Sequence, residues 1–317
     1  MKRLTMRITR RGAQTCAAAA SLLVLAGCGA STSSAGAADA DAATFSAASM
    51  TPAGVTVVFQ GSGAEVLSNG QVILPLDGYD ALMANANDEL IGHAATAIER
   101  ACMSAKGLPL PASLEGLPLP AEPPSTVFYG VASEADAEQL GYRVPDESSD
   151  ASPAPAPTVP ANVSEAFSGS GGCEMKAFDQ LEISRVQQGF TTIQGLRAEA
   201  LEEASADKRL IAANAHWSAC MKTAGYDYAT PQDPPSDRSL LGRGLAIPKG
   251  DTLAPPSPAE KAVAEKDMAC KESVDYIPTF ATVVASYQRT LIQSNNVELR
   301  QTLAMWADAL SIARSAA

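Results

Sequence analysis

Apolar residues recur at helical spacing in several segments of this chain. Within residues 80–106, Ile91, Ala95, Ile98 and Cys102 fall on one face of a 3.6-residue period. A stretch of this length with one apolar face is typical of an amphipathic helix that packs against a core. The pattern therefore predicts a helix over residues 80–106.

Similar apolar stripes predict further helices in the second half of the chain. Residues 207–224 form one such segment, and the capping box Ser257-Pro258-Ala259-Glu260 opens another. Residues 278–314 predict a single long helix, whose inner face carries Phe280, Val284, Tyr287, Leu291, Thr302, Trp306, Leu310 and Ala313. Shorter helices are expected over 133–141, where Ser133-Glu134-Ala135-Asp136 resembles a helix start, and over 174–185 and 193–203. Together these patterns predict a mostly α fold, a bundle of about five main helices.

A different pattern precedes the first helix. Between residues 51 and 76, two short runs rich in β-branched residues, 55–59 and 72–74, are separated by glycines and by Asn69-Gly70. This segment predicts either a short hairpin or an extended stretch packed across the helices.

Two stretches contain too few large apolar residues to contribute to a core. Residues 28–50 consist mainly of Ala, Ser, Gly and Asp, and residues 146–172 are rich in Pro, Ala, Ser and Gly. Such compositions cannot offset the entropy lost on ordering. We therefore predict a flexible tether at 28–50 and a helical, disulfide-bonded domain at 51–317, with a disordered linker near 146–172.

The N-terminus has the organisation of an export signal. Five basic residues and no acid lie within residues 1–12, and an apolar stretch too short to span a membrane follows. Leu25-Ala26-Gly27-Cys28 then matches a lipobox. We predict that residues 1–27 are a lipoprotein signal peptide and that Cys28 carries diacylglycerol and palmitate-type acyl chains. The alternative is a plain secretory signal with a chance cysteine.

Charge limits the partners that the mature chain can bind. Removal of residues 1–27 leaves 18 basic and 35 acidic side chains, a net charge of −17. Nucleic acid requires a basic surface, and anionic lipid headgroups also attract cations, so both are disfavoured. The acyl chains alone would anchor the protein in the cell membrane. The predicted location is therefore the outer, extracytoplasmic face of the membrane.

Four cysteines remain in the mature chain once Cys28 is lipidated. Cys102, Cys173, Cys220 and Cys270 predict two disulfides in an oxidising compartment, and four cysteines allow three pairings. A zinc site is the competing interpretation, although no Cys-x-x-Cys spacing is present.

A short internal repeat favours one of the three pairings. Ala101-Cys102-Met103 with Gly107 is repeated as Ala219-Cys220-Met221 with Gly225, and each repeat is followed by a long irregular stretch and another cysteine. Two similar helix–loop–helix units, each closed by its own bridge, would pair Cys102 with Cys173 and Cys220 with Cys270.

These motifs also resemble a family of actinobacterial secreted lipoproteins of unknown function. The resemblance covers about residues 70–315 and further rests on Phe128-Tyr129-Gly130, Gly141-Tyr142, Gly172-Cys173, Trp217-Ser218 and Asp267-Met268-Ala269-Cys270-Lys271. It implies a helical, disulfide-bonded extracytoplasmic domain that accompanies envelope export or adaptor systems. It assigns no catalytic residue to this chain.

The sequence offers little catalytic or metal-binding chemistry. His93 and His216 lack the close spacing of a His-Glu-x-x-His motif, so no metal and no cofactor is expected. His216 precedes Cys220 by one helical turn, but a disulfide at Cys220 is favoured over a thiol nucleophile. Gly-x-Ser-x-Gly does not follow any predicted strand.

Two features remain as candidates for recognition. Asp267 falls on the inner face of a predicted helix, where a carboxylate needs a hydrogen-bond partner, so it has either a structural role or a recognition role. Trp217, Tyr226 and Tyr228 form either an aromatic patch for a glycan or protein partner, or aromatic packing over a disulfide.

The function expected from these observations is that of a non-enzymatic envelope lipoprotein that binds a transporter, an adaptor protein or the cell wall. The alternative is a cell-wall hydrolase, which needs two carboxylates converging in a cleft. A solute-binding lipoprotein is disfavoured because strands and helices do not alternate along this chain.

Overall fold

The computed structural model describes residues 55–80, 86–114, 128–142, 159–241 and 256–316. The predicted signal peptide, Cys28 and the tether lie outside these residues. The described chain begins with three antiparallel strands, β1 (Val57–Gly61), β2 (Ala64–Leu67) and β3 (Val72–Ile73), which form a sheet in the order β1-β2-β3. The predicted hairpin is thus present and is extended by a third strand.

Ser62 and Gly63 connect β1 to β2 in a tight turn. Both residues have positive φ, +53° and +84°, as in the two-residue turns whose twist matches that of a β-hairpin. The register pairs Gly61 with Ala64 next to the turn, and it shifts between Val57 and Phe59. Val58 is therefore the extra residue of a β-bulge.

Apart from turns, loops and a short 3₁₀ helix at Ala112–Leu114, α-helices form the rest of the described structure, and the predicted mostly α fold is confirmed. In chain order the helices are α1 (Asp77–Asp80), α2 (Ala86–Ala105), α3 (Glu134–Leu140), α4 (Ala161–Ser168), α5 (Cys173–Gln180), α6 (Ile183–Ser205), α7 (Lys208–Thr223), α8 (Asp233–Ser236), α9 (Arg238–Leu241), α10 (Pro258–Ser273), α11 (Tyr276–Ser294) and α12 (Asn296–Ala316). The predicted caps form: the Ser133 hydroxyl accepts from the Asp136 N–H, and the Ser257 hydroxyl accepts from the Glu260 N–H.

The C-terminal segment differs from the single long helix that its periodicity predicts. It divides into α11 and α12 at Asn295, whose side-chain amide donates to the Leu291 carbonyl at 2.9 Å. The Asn296 amide likewise donates to the Gln293 carbonyl at 2.7 Å. Side chains that bond to local backbone carbonyls compete with helix propagation. The apolar stripe continues on both sides of the break, which is why periodicity alone does not reveal it.

Part of the predicted linker is helical. Residues 161–168, which lie within 146–172, form α4, while residues 146–158 fall outside the described structure. Val163 and Phe167, one helical turn apart, are buried in a small cluster with Cys102, Met103 and Cys173. This tertiary contact, which composition does not report, stabilises the helix.

Two larger cores lie within the bundle. One is formed by the sheet with α7, α10 and α11, and the other by α2, α5, α6 and α12. Helices α6 and α11 pack against each other, and Tyr287 of α11 contacts both cores.

Both disulfides have the pairing that the internal repeat favours. Cys102 at the end of α2 is bonded to Cys173 at the start of α5, and Cys220 of α7 is bonded to Cys270 of α10. Because all four thiols are used in bridges, they cannot form the competing zinc site. Among the described helices, none combines the length and the hydrophobicity that a membrane-spanning segment requires.

Candidate functional site

Asp267 of α10 lies in the protein interior, with no accessible surface. Its Oδ1 accepts a hydrogen bond from the Trp217 indole N–H at 2.8 Å. Its Oδ2 accepts from the Tyr142 hydroxyl at 3.1 Å and from the Lys271 ammonium at 2.9 Å. These three donors satisfy a carboxylate that burial would otherwise destabilise.

Lys271 follows Asp267 by one turn of α10 and is 1% exposed. Besides the ion pair with Asp267, its ammonium donates to the Val131 carbonyl at 2.9 Å. Asp267 and Lys271 therefore connect α10 to Trp217 on α7 and to the residues on either side of α3. We call Asp267, Lys271, Trp217, Tyr142 and Val131 the buried polar network.

Burial dominates the protonation behaviour of this network. It raises the pKa of Asp267 and lowers the pKa of Lys271, because each charge is removed from water, and the attraction between the two charges opposes both shifts. Burial and the neighbouring Asp267 carboxylate raise the pKa of Tyr142. Asp267 has no accessible surface and the Lys271 ammonium is bonded to two protein acceptors, so these contacts give the network a structural role.

Glu260, near the start of α10, extends the contact between this helix and the end of α3. It has no accessible surface, and its Oε1 accepts from the Tyr142 backbone N–H at 3.3 Å. Gly141 has a φ of +61°, and a Cβ at this position would lie 3.0 Å from Glu260 Cγ. Glycine is thus required at position 141 both by the backbone conformation and by the close approach of Glu260.

The predicted aromatic residues do not form one exposed patch. Trp217 is fully buried in the core, whereas Tyr226 and Tyr228 are half-buried beside it. The Tyr228 hydroxyl donates to Asp237 at 2.9 Å. Burial and this hydrogen bond raise the pKa of Tyr228 to about 12.

The structure does not bring the two histidines into a metal site. His93 and His216 are both exposed, and within the described ranges no group of three or more His, Cys, Asp or Glu side chains could hold a metal ion.

An open groove of about 590 Å³ lies on the surface next to the buried polar network and borders it at Lys271. Its apolar lining includes Val58 of β1, Val66 of β2 and Ile277 of α11. Its acidic lining consists of exposed carboxylates on three segments: Glu134 at the start of α3, Glu272 near the end of α10, and Asp275 at the α10–α11 junction. Lys271 is the basic residue among its described lining residues, and its charge is paired with Asp267. We call this surface the acidic groove.

A second cavity of about 640 Å³ shares Asp275 with the acidic groove and is lined by Phe59, Arg209 and His216. Its cationic character is reduced because Arg209 is paired with Asp207 at 2.8 Å. The acidic groove therefore carries the larger unbalanced charge.

The sequence predicted part of this arrangement. Asp267 was expected to be inward-facing with a hydrogen-bond partner, and Lys271, four residues later on the same helix, is a partner that the i, i+4 spacing could have indicated. Tyr142 is 125 residues from Asp267, so no local pattern could connect them. The acidic groove likewise combines residues that are distant in sequence.

Comparisons with protein-family models, with curated proteins and with solved structures find no match to this chain. The residues and their geometry are therefore the basis for a functional proposal.

Proposed function

We propose that this protein is a lipoprotein anchored by its acyl chains in the extracytoplasmic face of the cell membrane. We further propose that its helical domain binds a partner and does not catalyse a reaction. The anchor is supported by the lipobox ending at Cys28 and by the cysteine inventory. The two bridges account for four of the six cysteines, and the other two are Cys16, within the proposed signal peptide, and Cys28.

The observation that carries the binding role is the acidic groove. It is open to solvent, it has an apolar lining, and it carries three exposed carboxylates. The buried charges of Asp267 and Lys271, next to the groove, are bonded to each other and to neighbouring groups. The groups that solvent can reach are therefore the exposed carboxylates of the groove, which are better suited to attracting a cationic partner than to transferring protons.

Acylation tests the anchor directly. Cells grown with an alkyne-tagged palmitate analogue should yield a labelled protein in the membrane fraction, and Cys28→Ser should remove the label and release the protein from membranes. Cys16→Ser is the matched control, because this cysteine lies in the segment to be removed, and it should stay labelled. Retention of the label in Cys28→Ser would contradict the proposed anchor.

Site-specific photo-cross-linking tests the binding role in intact cells. A photoreactive side chain at Val58, which is 63% exposed and lines the groove, should give one discrete cross-linked product. The same group at Val297 on α12, which is 58% exposed, is the control for random encounters. Equal products from both positions would count against a binding surface at the groove.

A cell-wall hydrolase is the second candidate, because Glu134, Glu272 and Asp275 line one groove and glycoside cleavage uses a pair of carboxylates. Incubation with purified peptidoglycan separates the two proposals. Release of soluble fragments that is lost in Glu272→Gln would favour the hydrolase, whereas no release is expected for a binding protein.

A further inference from the structure

Strand β1 lies at an edge of the sheet, and its apolar side chains are unusually exposed. Val57 is 40% and Val58 63% exposed. The strand contains neither a charged residue nor proline, two devices that commonly protect edge strands from pairing with another chain. An edge of this kind is suited to pairing with an extended peptide.

The backbone of β1 has hydrogen-bonding groups on its outer side. Gly61 and Ala64 flank the two-residue turn and form the hydrogen-bonded pair that closes it. Because such pairs alternate along an antiparallel ladder, Gln60 directs its N–H and C=O away from β2. No strand in the described part of the chain pairs with this outer edge.

Charge indicates what kind of segment would pair with β1. Val58 belongs both to β1 and to the acidic groove, so a peptide beside β1 would lie next to the groove whose lining carries Glu134, Glu272 and Asp275. The groove has no aromatic ring among its described lining residues on which a sugar could stack. These features favour a basic peptide over a glycan.

We propose that β1 is a docking edge for an extended segment of a partner protein in which apolar and basic side chains alternate. The segment adds a strand beside β1, its backbone bonds to Gln60, and its Lys or Arg side chains lie over the acidic groove. Main-chain hydrogen bonds provide affinity, and the period-two alternation provides specificity. This inference rests on the proposed binding role and names the chemical class of the partner.

A synthetic probe tests both parts of the proposal. The probe is a short fluorescein-labelled peptide of alternating lysine and valine, and its binding to the full mature protein in detergent is followed by fluorescence anisotropy, with protein-free detergent as the blank. Binding should weaken as salt is raised, because exposed charges are screened. Replacement of lysine by glutamate in the probe should reduce affinity at least about tenfold. N-methylation of alternate backbone amides should have a similar effect, since it removes donors without altering the protein.

Variants of the protein then locate the site. Gln60→Pro removes the outward N–H, and an edge strand tolerates proline at such a position, so the probe should bind at least about tenfold more weakly. Glu134→Gln with Glu272→Gln should also weaken binding and reduce its salt dependence. The matched control is Glu199→Gln with Glu202→Gln, which neutralises two exposed carboxylates on α6 outside the groove and should leave the affinity unchanged.

Three results would overturn the proposal: absence of binding up to about 1 mM probe, equal affinity for the N-methylated probe, or equal affinity for the glutamate probe. Binding of soluble peptidoglycan fragments at the groove in place of the peptide would also overturn it and would identify a glycan ligand. Acylation at Cys28 and cross-linking at Val58 are measured separately, so failure of this inference can be distinguished from failure of the proposed function.

Discussion

At the scale of single residues, the Asp267–Lys271 pair shows how a charge can be accommodated in a helical core. Asp267 has three donors, and Lys271 has Asp267 and a backbone carbonyl as acceptors. Such a pair adds little net stability compared with apolar residues of similar volume, but loss of one partner leaves a buried charge without compensation.

Asp267→Asn should therefore destabilise the protein strongly, by about 3–5 kcal/mol. The amide nitrogen of asparagine cannot accept from the Lys271 ammonium, which stays buried. The double variant Asp267→Asn with Lys271→Met should recover part of this loss, because no charge is then left in the core. Urea unfolding of the single and double variants measures both effects. A double variant as unstable as the sum of the two single variants would contradict the coupling.

The ionisation of Asp207 is expected to make the stability of the fold depend on pH. It caps α7 by accepting from the Arg209 backbone N–H at 2.8 Å, and it also accepts from the Arg209 guanidinium and the Tyr287 hydroxyl. The hydrogen bonds from Arg209 hold the pKa of Asp207 well below its usual value. Because the pKa is lower in the folded than in the unfolded state, ionised Asp207 stabilises the fold above pH about 4, and this contribution is lost as the pH falls.

Asp207→Asn should be less stable than the wild type at pH 7 by about 0.5–1 kcal/mol, since Arg209 is half exposed and the pair is partly screened. Because asparagine retains the capping hydrogen bond, the difference in stability between the two proteins measures the contribution of the negative charge of Asp207. The urea midpoints of the two proteins should differ most above pH about 4 and should converge progressively as the pH falls below it, towards the lowered pKa of Asp207. A difference that does not change with pH would contradict a role for the charge.

At the scale of secondary-structure elements, two glycines of α6 allow the effect of close helix packing to be separated from that of helix propensity. A Cβ on Gly189 would lie 2.6 Å from Trp306 Nε1 and 2.8 Å from Thr302 Cγ2, both in the buried face of α12, whereas a Cβ on Gly195 would meet nothing within 4 Å. Gly189→Ala should cost about 1–3 kcal/mol because α6 and α12 are forced apart. Gly195→Ala should stabilise by about 0.5–1 kcal/mol through helix propensity. Thermal unfolding compares the two, and equal effects would contradict close packing at Gly189.

Local patterns predicted the elements that depend on local interactions. The capping serines, Ser133 and Ser257, and the apolar stripes of α2, α7 and α11 were all readable from spacing because each involves residues within a few positions. Among the features that were not predicted are the break at Asn295, helix α4 and the acidic groove. The first depends on side-chain hydrogen bonds from Asn295 and Asn296 to backbone carbonyls at the end of α11, and the others depend on contacts between residues far apart in sequence.

At the scale of the whole molecule, the two disulfides serve different parts of the structure. Cys220–Cys270 joins α7 and α10 within the core that contains the sheet and the buried polar network. Cys102–Cys173 lies in the small separate cluster that contains Val163 and Phe167 of α4. The bridged residues are 50 and 71 positions apart, respectively. In the chain-entropy model each loop contributes roughly 4 kcal/mol, so loop length alone predicts similar effects for both bridges.

The location of the bridges predicts different effects. Cys220→Ala with Cys270→Ala should lower the free energy of global unfolding and speed amide exchange throughout α7, α10 and α11, because this bridge lies in a main core. Cys102→Ala with Cys173→Ala should mainly increase exchange in α4, α5 and the end of α2, since a small cluster can open while the larger cores stay folded. Hydrogen exchange measured by mass spectrometry, together with urea unfolding, distinguishes local from global opening. Uniformly faster exchange in both double variants would mean that the small cluster and the main cores unfold as one cooperative unit.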